Sequence, residues 1–344
     1  MSDKITRKYS KSSGFYLDTK KDFFAENSKL LEEAERKNRL YAAQPRRTEC
    51  KLCQNILPLT PDFTSHGVGY SFCTRCSHLN GCFDDSKAFI EKLYVSEDSD
   101  YSKNYIDQNY EKRTADIYVP KVDFLLSSVP NCEASILDVG CGSGYFVFAA
   151  HQRNLDVTGI DVGKAMIDFG NYQISQRTGQ TLLKHTAEEE FYNYVTKSKA
   201  SIISAIGVIE HLREPQKFFR AFQESAAQWL YYSVPMFSFS AVLENVFGNV
   251  FPRQLSGGHT HLFTEASIVN MNRMIGVQSV AEWRFGTDVM DLYRSMLTCL
   301  QQNKVSENLV RNFAEGISPR IDALQAILDE SHFCSEIHLV ARKI

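Results

Sequence analysis

From about residue 131 the chain alternates short apolar runs with amphipathic segments, and this alternation restricts the possible fold more than any other feature. The runs are ASILDVG, LDVTGID, TLLKHTA, ASIISAIG and AQWLYYSVP, followed by two more near GVQSVAEWRF and SEIHLVARKI. Each run ends at a turn or a small residue, and the segments between the first five are long enough for a helix. This pattern is typical of successive βα units and a mostly parallel sheet. The sequence therefore predicts an α/β domain over 131–344, with a helical insertion at about 286–334.

The first 130 residues lack this alternation and divide into three parts. Residues 1–49 are polar with an amphipathic helical pattern, which predicts a helical arm. Residues 50–82 carry paired cysteines, and the tyrosine-rich stretch within 83–130 predicts a helical cap or linker. We find no internal repeat that would indicate a solenoid.

Composition and charge exclude several classes of protein. The 344 residues are 43% hydrophobic and 23% charged, as in an ordinary globular protein. The net charge of -3 disfavours a generally basic surface for nucleic acid. No run approaches the roughly 18 apolar residues of a membrane span, and the polar start lacks the apolar core of a signal peptide. We therefore expect a cytoplasmic protein without a membrane partner, and a homodimer remains open.

Three glycines at every second position follow the first apolar run, in LDVGCGSGYF. Closely spaced glycines between a strand and a helix let a ligand approach the backbone and the helix N-terminus. The dinucleotide fingerprint has its third glycine three positions after the second, whereas here position 145 is tyrosine. There is also no Gly-Lys-Ser/Thr sequence of a phosphate loop. The spacing therefore disfavours sites for NAD, FAD and ATP.

The stretch LDVGCGSG resembles the first motif of class I S-adenosylmethionine-dependent methyltransferases, and VTGIDVG, HTAEEEF and SAIGVIEHLREP agree with later motifs of that family in order. The resemblance implies a Rossmann-like, seven-stranded sheet and S-adenosylmethionine as cofactor. It places Asp161 at the ribose hydroxyls, and Ala187 and Glu188 at the adenine. The candidate cofactor-binding residues are Arg113, Asp138, Gly140, Cys141, Gly142, Gly144, Tyr145, Asp161, Val162, Ala187, Glu188 and Ile206.

The segment before the first run offers residues that could cover this cofactor. Arg113 could pair with the cofactor carboxylate, and Tyr105 and Tyr110 could lie over it. A helix whose tyrosines only fill the core is the alternative, and the sequence leaves both open.

Four of the nine cysteines form two CxxC pairs, Cys50 with Cys53 and Cys73 with Cys76. Thiolates separated by two residues in a tight turn can point at one metal ion, and two such turns complete a tetrahedral zinc site. Because four protein ligands close the coordination shell, the zinc is predicted to be structural. His78 and Cys82 are further ligand candidates that this site does not need, and a redox CxxC pair is the alternative.

A zinc ribbon before this domain resembles the zinc-ribbon methyltransferases that modify sugars, including nucleotide-sugars of surface polysaccharide and secondary metabolism. The resemblance implies a small hydroxylated acceptor, a sugar or nucleotide-sugar, and a role in carbohydrate biosynthesis. The C-terminal part is shorter than in the sugar C-methyltransferases, so C- and O-methylation both remain open.

Two other classes of function remain. One is an RNA methyltransferase with the ribbon as recognition module, although the ribbon has only Lys51 and Arg75 between its outer cysteines, so nucleic acid is the less favoured partner. The other is a non-catalytic scaffold with a methyltransferase fold.

Transfer to a hydroxyl or a carbon acid requires a base within hydrogen-bond reach of the acceptor. The catalytic candidates are Glu210 and His211, which follow the fourth predicted strand at the carboxyl edge of the sheet, Tyr232 on the fifth strand, and His259 and His261 in the segment after that strand. Structural roles for the histidines remain open, as does a second metal bound by Glu210, His211 and one of the later histidines.

Overall fold

An eight-stranded sheet and a smaller four-stranded sheet organise the residues that the computed structural model describes, which are 5–14, 17, 22–95, 109–130, 134–255 and 259–344. The strands are β1 Thr6–Tyr9, β2 Phe63–Ser65, β3 Val68–Phe72, β4 Leu79–Gly81, β5 Ser135–Val139, β6 Asp156–Asp161, β7 Leu183–His185, β8 Ile202–Ile206, β9 Trp229–Pro235, β10 His261–Leu262, β11 Val277–Phe285 and β12 Glu336–Lys343. The large sheet has the order β1-β11-β12-β9-β8-β5-β6-β7, and the small sheet has the order β10-β4-β3-β2.

Helices cover the large sheet and connect its strands. They are α1 Asp22–Ala25, α2 Asn27–Ala42, α3 Lys87–Ile90, α4 Tyr110–Arg113, α5 Val119–Ser128, α6 Tyr145–His151, α7 Lys164–Thr178, α8 Glu188–Lys197, α9 Pro215–Glu224, α10 Phe239–Val246, α11 Glu265–Ile275, α12 Asp288–Gln302, α13 Glu307–Ile317 and α14 Ile321–Glu330. A π-helical turn, Thr114–Tyr118, joins α4 to α5, and a 3-10 turn, Ile209–His211, follows β8. Within the described ranges, no helix combines the length and the apolar character needed to span a bilayer.

All seven apolar runs form strands of the large sheet, so the predicted α/β methyltransferase-like fold is confirmed. Strands β5 to β9 pair in parallel, and β12 runs antiparallel between β9 and β11. The carboxyl ends of the parallel strands therefore meet at one edge, where open α/β sheets bind ligands.

The sheet has one strand more than the seven that the resemblance implies. Strand β1 lies within the segment predicted as a helical arm, and it pairs in parallel with β11 at the edge of the sheet. The Arg7 guanidinium donates to Glu282 at 2.7 Å, and the Trp283 indole donates to the carbonyl of Ser10 at 2.9 Å. Three of its four residues are exposed, so the strand shows no apolar pattern that could have predicted it.

Apolar side chains fill both faces of the sheet. On one face α9 contributes Phe218 and Phe222, which are fully buried, and on the other α6 contributes Phe146 and Phe148. Each buried phenylalanine stabilises the fold by about 1.5–3 kcal/mol relative to an exposed one. This packing fixes the strands whose ends carry the candidate site.

The segment after β9 connects the two sheets. Strand β10 lies in the sequence GGHTHLF and pairs antiparallel with β4 of the cysteine-bearing region. The amide of Phe263 donates to Pro235 at the end of β9. The ribbon region is therefore joined by main-chain hydrogen bonds to the sheet edge where β9 ends.

Candidate active site

The glycine turn after β5 has a backbone that only glycine adopts without strain. Gly140, Gly142 and Gly144 have φ values of 68°, 53° and 73°. A Cβ on Gly140 would lie 2.6 Å from Val208 Cγ2, and one on Gly144 would lie 2.6 Å from Leu183 Cδ1. Close packing and left-handed backbone thus both require glycine, and α6 begins directly after the turn.

Asp161, at the end of β6, connects this turn to the next loop. Its carboxylate accepts hydrogen bonds from the amides of Gly142 at 2.8 Å and Gly163 at 2.7 Å. Burial raises its pKa, and the two amide bonds oppose that shift by stabilising the charged form. Each oxygen keeps a lone pair that can accept a further hydrogen bond.

Asp138 lies beneath the turn. Its Oδ1 accepts a 2.6 Å hydrogen bond from the Ser204 hydroxyl of β8, and burial raises its pKa to about 7. The side chain is 3% exposed. It therefore links β5 to β8 directly below the turn.

The candidate cofactor-binding residues form a row along the sheet edge. Gly140, Cys141, Gly142, Val162 and Ile206 are half-buried, whereas most of the strand residues that precede them are buried. Together they form a half-buried surface across the ends of β5, β6 and β8, which we name the candidate cofactor cleft.

The expected adenine contacts lie at the start of α8, beyond Asp161. Ala187 is exposed at the N-cap of that helix, and the side chain of Glu188 lies outside the described part of the chain. The Thr186 amide donates to the carbonyl of Asp161 at 3.0 Å, and this hydrogen bond joins the start of the helix to the end of β6.

Tyrosines of the predicted cap pack on the helix that follows the glycine turn. The Tyr145 ring stacks on Tyr110, with ring centroids 4.4 Å apart, and on Tyr118 at 5.3 Å. The Arg113 guanidinium lies 5.1 Å from the same ring, and the Tyr110 hydroxyl donates to the carbonyl of Ser143 at 2.9 Å. The cap thus contacts the turn itself. Tyr105 lies outside the described residues.

A carboxyl group and two imidazoles meet beside the glycine turn. Glu210 and His211 lie in the 3-10 turn after β8, which begins next to Val208, the residue that packs on Gly140. Glu210 Oε1 lies 3.9 Å from His211 Nε2, and the rings of His211 and His259 stack with centroids 5.8 Å apart. Among the described residues, Glu210 Oε2 and His259 Nδ1 are buried atoms without a hydrogen-bond partner. Buried polar atoms of this kind indicate a place for a polar ligand.

Burial sets the protonation states of this cluster. It raises the pKa of Glu210 to about 8, so the carboxyl group keeps its proton at neutral pH. Burial, and to a smaller extent the charge of His259, lowers the pKa of His211 to about 3. Burial, and to a smaller extent the charge of Arg253, lowers the pKa of His259 to about 4. Both imidazoles are therefore neutral at pH 7, and each has a nitrogen lone pair.

Two predicted catalytic residues bond to other groups of the protein. Tyr232 lies fully buried in the core, and its hydroxyl donates to Asn272 of α11 at 2.5 Å. His261 uses both ring nitrogens, one with His78 at 2.8 Å and one with the carbonyl of Glu210 at 2.8 Å. These hydrogen bonds favour structural roles for both residues, and their catalytic roles stay predictions.

Glu336 is a site residue that the sequence analysis missed. It begins β12 opposite Pro235, and its charge influences the pKa values of Glu210 and His259. Although burial opposes ionisation, Lys121 at 3.8 Å and the His338 ring at 2.7 Å lower the pKa of Glu336. A stable carboxylate thus lies near the imidazole cluster.

The four paired cysteines converge as their spacing predicts. Cys50 Sγ lies 3.7 Å from Cys76 Sγ, and Cys53 Sγ lies 3.5 Å from Cys73 Sγ. All four sulfurs lie within 4.8 Å of one another. A tetrahedral zinc with bonds of about 2.3 Å separates its sulfurs by about 3.8 Å, so the cluster fits this ion.

Local backbone geometry forms the two turns of this cluster. Gln54 and Ser77, one residue after each pair, have left-handed φ values of 60° and 57°. In the part of the chain that the structure describes, the four cysteines are the one group of three or more potential ligands close enough to share an ion. His78 and Cys82 are not members, and among the described residues no second group of this kind includes Glu210.

Comparison with known proteins agrees with this geometry. A family model described as a methyltransferase domain matches residues 137–228, well under half of the chain. The ubiquinone biosynthesis O-methyltransferase of Saccharophagus degradans is 33% identical over 86 residues, which are 24% of this chain and 35% of that protein. Its counterpart in Acinetobacter baumannii is 27% identical over 88 residues, which are 26% of this chain and 37% of that protein. The chain thus matches about a third of the length of these relatives.

Two solved methyltransferase structures share little sequence with the chain. The magnesium protoporphyrin IX methyltransferase of Synechocystis PCC 6803 with bound S-adenosylhomocysteine is 13% identical, with a TM-score of 0.43, over 74% of this chain and 92% of that one. A SAM-dependent methyltransferase from Archaeoglobus fulgidus is 15% identical, with a TM-score of 0.43, over 71% of this chain and 98% of that one.

Residues 137–228, which match the methyltransferase domain, contain the glycine turn and Asp161, as the sequence resemblance implies. The relatives named above are ubiquinone biosynthesis O-methyltransferases.

Proposed function

We propose that the protein transfers a methyl group from S-adenosylmethionine to a hydroxyl group of a small acceptor. The observation that carries this proposal is the cluster of Glu210, His211 and His259 next to the glycine turn. Its buried atoms without partners lie beside the half-buried cleft at the carboxyl ends of the strands. A cofactor in the cleft and an acceptor at the cluster would therefore be neighbours.

The cleft residues fit the parts of the cofactor, which supplies a methyl group on a sulfonium. The lone pairs left on Asp161 can accept the ribose hydroxyls, and Val162 and Ile206 offer apolar surface for the adenine and the methionine chain. Arg113, next to Tyr145, is our candidate for the cofactor carboxylate.

His211 is our candidate base for the acceptor hydroxyl. The hydroxyl oxygen would attack the methyl group as its proton passes to the neutral His211 imidazole and S-adenosylhomocysteine leaves. Glu210 Oε1 lies 3.9 Å from His211 Nε2. His259, stacked beside it, can hold the acceptor in place through a ring nitrogen. Base catalysis of this kind typically accelerates transfer by about 10²–10⁴-fold.

For the acceptor we propose a sugar or nucleotide-sugar. A ribbon with four cysteines stands before the methyltransferase domain, as in the zinc-ribbon sugar methyltransferases that the sequence resembles, and the O-methyltransferase relatives support hydroxyl chemistry. We also propose that the cluster holds one structural zinc.

The buried position of Lys51 argues against RNA as the acceptor. This side chain is 2% exposed and pairs with Asp85, so it offers no charge to a phosphate backbone. Of the two cationic residues between the outer cysteines of the ribbon, Arg75 alone then remains to contact a phosphate.

The test is a methyl-transfer assay with purified protein, S-adenosylmethionine and a panel of nucleotide-sugars, with catechols as the comparison acceptors. Formation of S-adenosylhomocysteine together with an acceptor that has gained one methyl group supports the proposal. His211→Asn should lower the rate about 10²–10⁴-fold while cofactor affinity stays within two-fold. Transfer to catechols alone refutes the sugar assignment, and an RNA product in a parallel reaction refutes the small-molecule assignment.

A further inference from the structure

A chain of two histidines connects the four-cysteine cluster to the turn that carries Glu210 and His211. His78 Nε2 lies 2.8 Å from His261 Nδ1, and His261 Nε2 lies 2.8 Å from the main-chain oxygen of Glu210. His78 is fully buried and His261 is 2% exposed. The inference below rests on the proposed function, because it concerns the same turn.

The carbonyl at the end of this chain fixes the positions of the ring protons. A carbonyl oxygen only accepts, so His261 Nε2 must carry its proton and donate it. A neutral imidazole has one N–H group, and burial keeps the pKa of His261 well below its usual range. His261 Nδ1 therefore accepts, and the proton in the bond between the rings belongs to His78 Nε2.

This carbonyl belongs to the peptide plane between Glu210 and His211. On one edge of the plane, the His211 amide donates to Val208 at 2.9 Å. On the other edge, the carbonyl of Glu210 accepts from His261. Two bonds on opposite edges fix the rotation of this plane, and the plane sets the direction in which the His211 side chain leaves the backbone.

The far end of the chain is held by the second cysteine pair. His78 follows Cys76 by two residues, with Ser77 in the left-handed conformation between them. The carbonyl of His78 accepts hydrogen bonds from the Cys73 amide and the Asn80 side chain, both at 2.9 Å. The backbone of His78 is therefore part of the metal-binding turn.

We propose that His78 and His261 are positioning residues. Through them the four-cysteine cluster holds the peptide plane between Glu210 and His211, and this plane directs the His211 ring toward the acceptor. The ribbon thus acts on the transfer step without touching cofactor or acceptor. Its effect falls on kcat and leaves cofactor affinity unchanged.

The test compares His261→Phe, His261→Gln and His66→Phe. Phenylalanine removes both ring hydrogen bonds of His261, whereas glutamine keeps a donor near the position of Nε2. His66 is the matched control, because its Nε2 also reaches from the ribbon to a main-chain oxygen, that of Val250 at 3.0 Å, and not to the turn. Loss of a supporting bond of this kind typically costs about 10–100-fold in activity.

The first readout needs no acceptor. Nitrogen NMR of histidine-labelled protein saturated with S-adenosylhomocysteine should show His261 protonated at Nε2 and bare at Nδ1. His261→Phe should shift the His211 ring signals, and His66→Phe should leave them in place. A His261 protonated at Nδ1, or His211 signals that do not move in His261→Phe, overturns the proposal.

The second readout uses whichever panel acceptor the wild type methylates. His261→Phe should lower kcat about 10–100-fold with the affinity for S-adenosylhomocysteine within two-fold, and His261→Gln should recover most of that loss. An equal loss of kcat in His66→Phe shows a general structural effect and overturns the proposal. A wild type that methylates no acceptor refutes the proposed function, and the NMR readout then still decides the histidine chain.

Discussion

Asp161→Ala is the substitution that most directly tests the assignment of the cofactor cleft. The carboxylate accepts two short amide hydrogen bonds in the structure and has lone pairs left for two ribose hydroxyls. A hydrogen bond to a charged group is worth about 1.5–3 kcal/mol. Loss of two such bonds to the ribose therefore weakens binding by about 3 kcal/mol or more, which is at least about 100-fold in Kd.

The substitution also affects the folded state, so the experiment must separate the two effects. The amide of Gly163 is buried and loses its acceptor, at a cost of about 1–3 kcal/mol. For a chain of this size that shift lowers Tm by several degrees and leaves the protein folded at room temperature. Thermal unfolding followed by circular dichroism should confirm this before any binding is measured.

Isothermal titration calorimetry with S-adenosylhomocysteine measures the affinity. Asp156→Ala is the matched control, because Asp156 is an exposed aspartate at the opposite end of the same strand, β6. It should bind like the wild type. A folded Asp161→Ala protein whose Kd lies within three-fold of the wild type would refute the cleft assignment.

Three further predictions concern the metal, the base and the pH dependence of stability. Elemental analysis should find about one zinc per chain, and Cys50→Ser combined with Cys73→Ser should lose it, whereas a folded wild type without zinc would contradict the site. His211→Gln should abolish most methyl transfer, by about 10²–10⁴-fold, while calorimetry shows unchanged binding of S-adenosylhomocysteine; a rate within three-fold of the wild type would exclude His211 as the base. The pKa of Glu210 rises from 4.5 to about 8 on folding, so the folded protein binds more protons between these values, and the free energy of unfolding falls as pH rises through this window. In denaturant unfolding at several pH values, Glu210→Gln should reduce the slope of the unfolding free energy against pH by up to about 1.4 kcal/mol per pH unit. An unchanged slope would contradict the raised pKa of Glu210.

The sequence predicts the features that depend on local pattern. Seven apolar runs locate seven strands because a strand that is covered on both faces of its sheet needs a largely continuous apolar stretch. The glycine spacing predicts the turn because glycine adopts each left-handed φ there without strain. The cysteine spacing predicts the cluster because each turn of the backbone brings its own two sulfurs together.

The parts that the sequence could not predict depend on which face of an element a residue occupies, or on a distant partner. Tyr232 is a catalytic candidate by sequence, but β9 is buried on both faces of the sheet. Its apolar run therefore does not show to which face each side chain points. His261 contacts His78, which is 183 residues away in the chain. His259 and His261 stand two positions apart in the sequence, yet of the two it is His259 whose ring stacks on the His211 ring.

The boundaries of the family match explain why the cofactor is better assigned than the acceptor. The matched segment, 137–228, contains the glycine turn, Asp161 and the turn with His211. His259, Glu336 and the ribbon all lie outside it. The His259 ring stacks on His211, the charge of Glu336 raises the pKa of Glu210, and His78 of the ribbon reaches the carbonyl of Glu210 through His261. The named relatives therefore support the chemistry at the cleft, while their own acceptors give no information about surfaces that the match does not include. We expect the residues outside the match to determine which acceptor binds. Substitution of His259 or Glu336 should therefore change which acceptors are methylated more than it changes cofactor affinity. Equal effects on acceptor choice and on cofactor affinity would contradict this division.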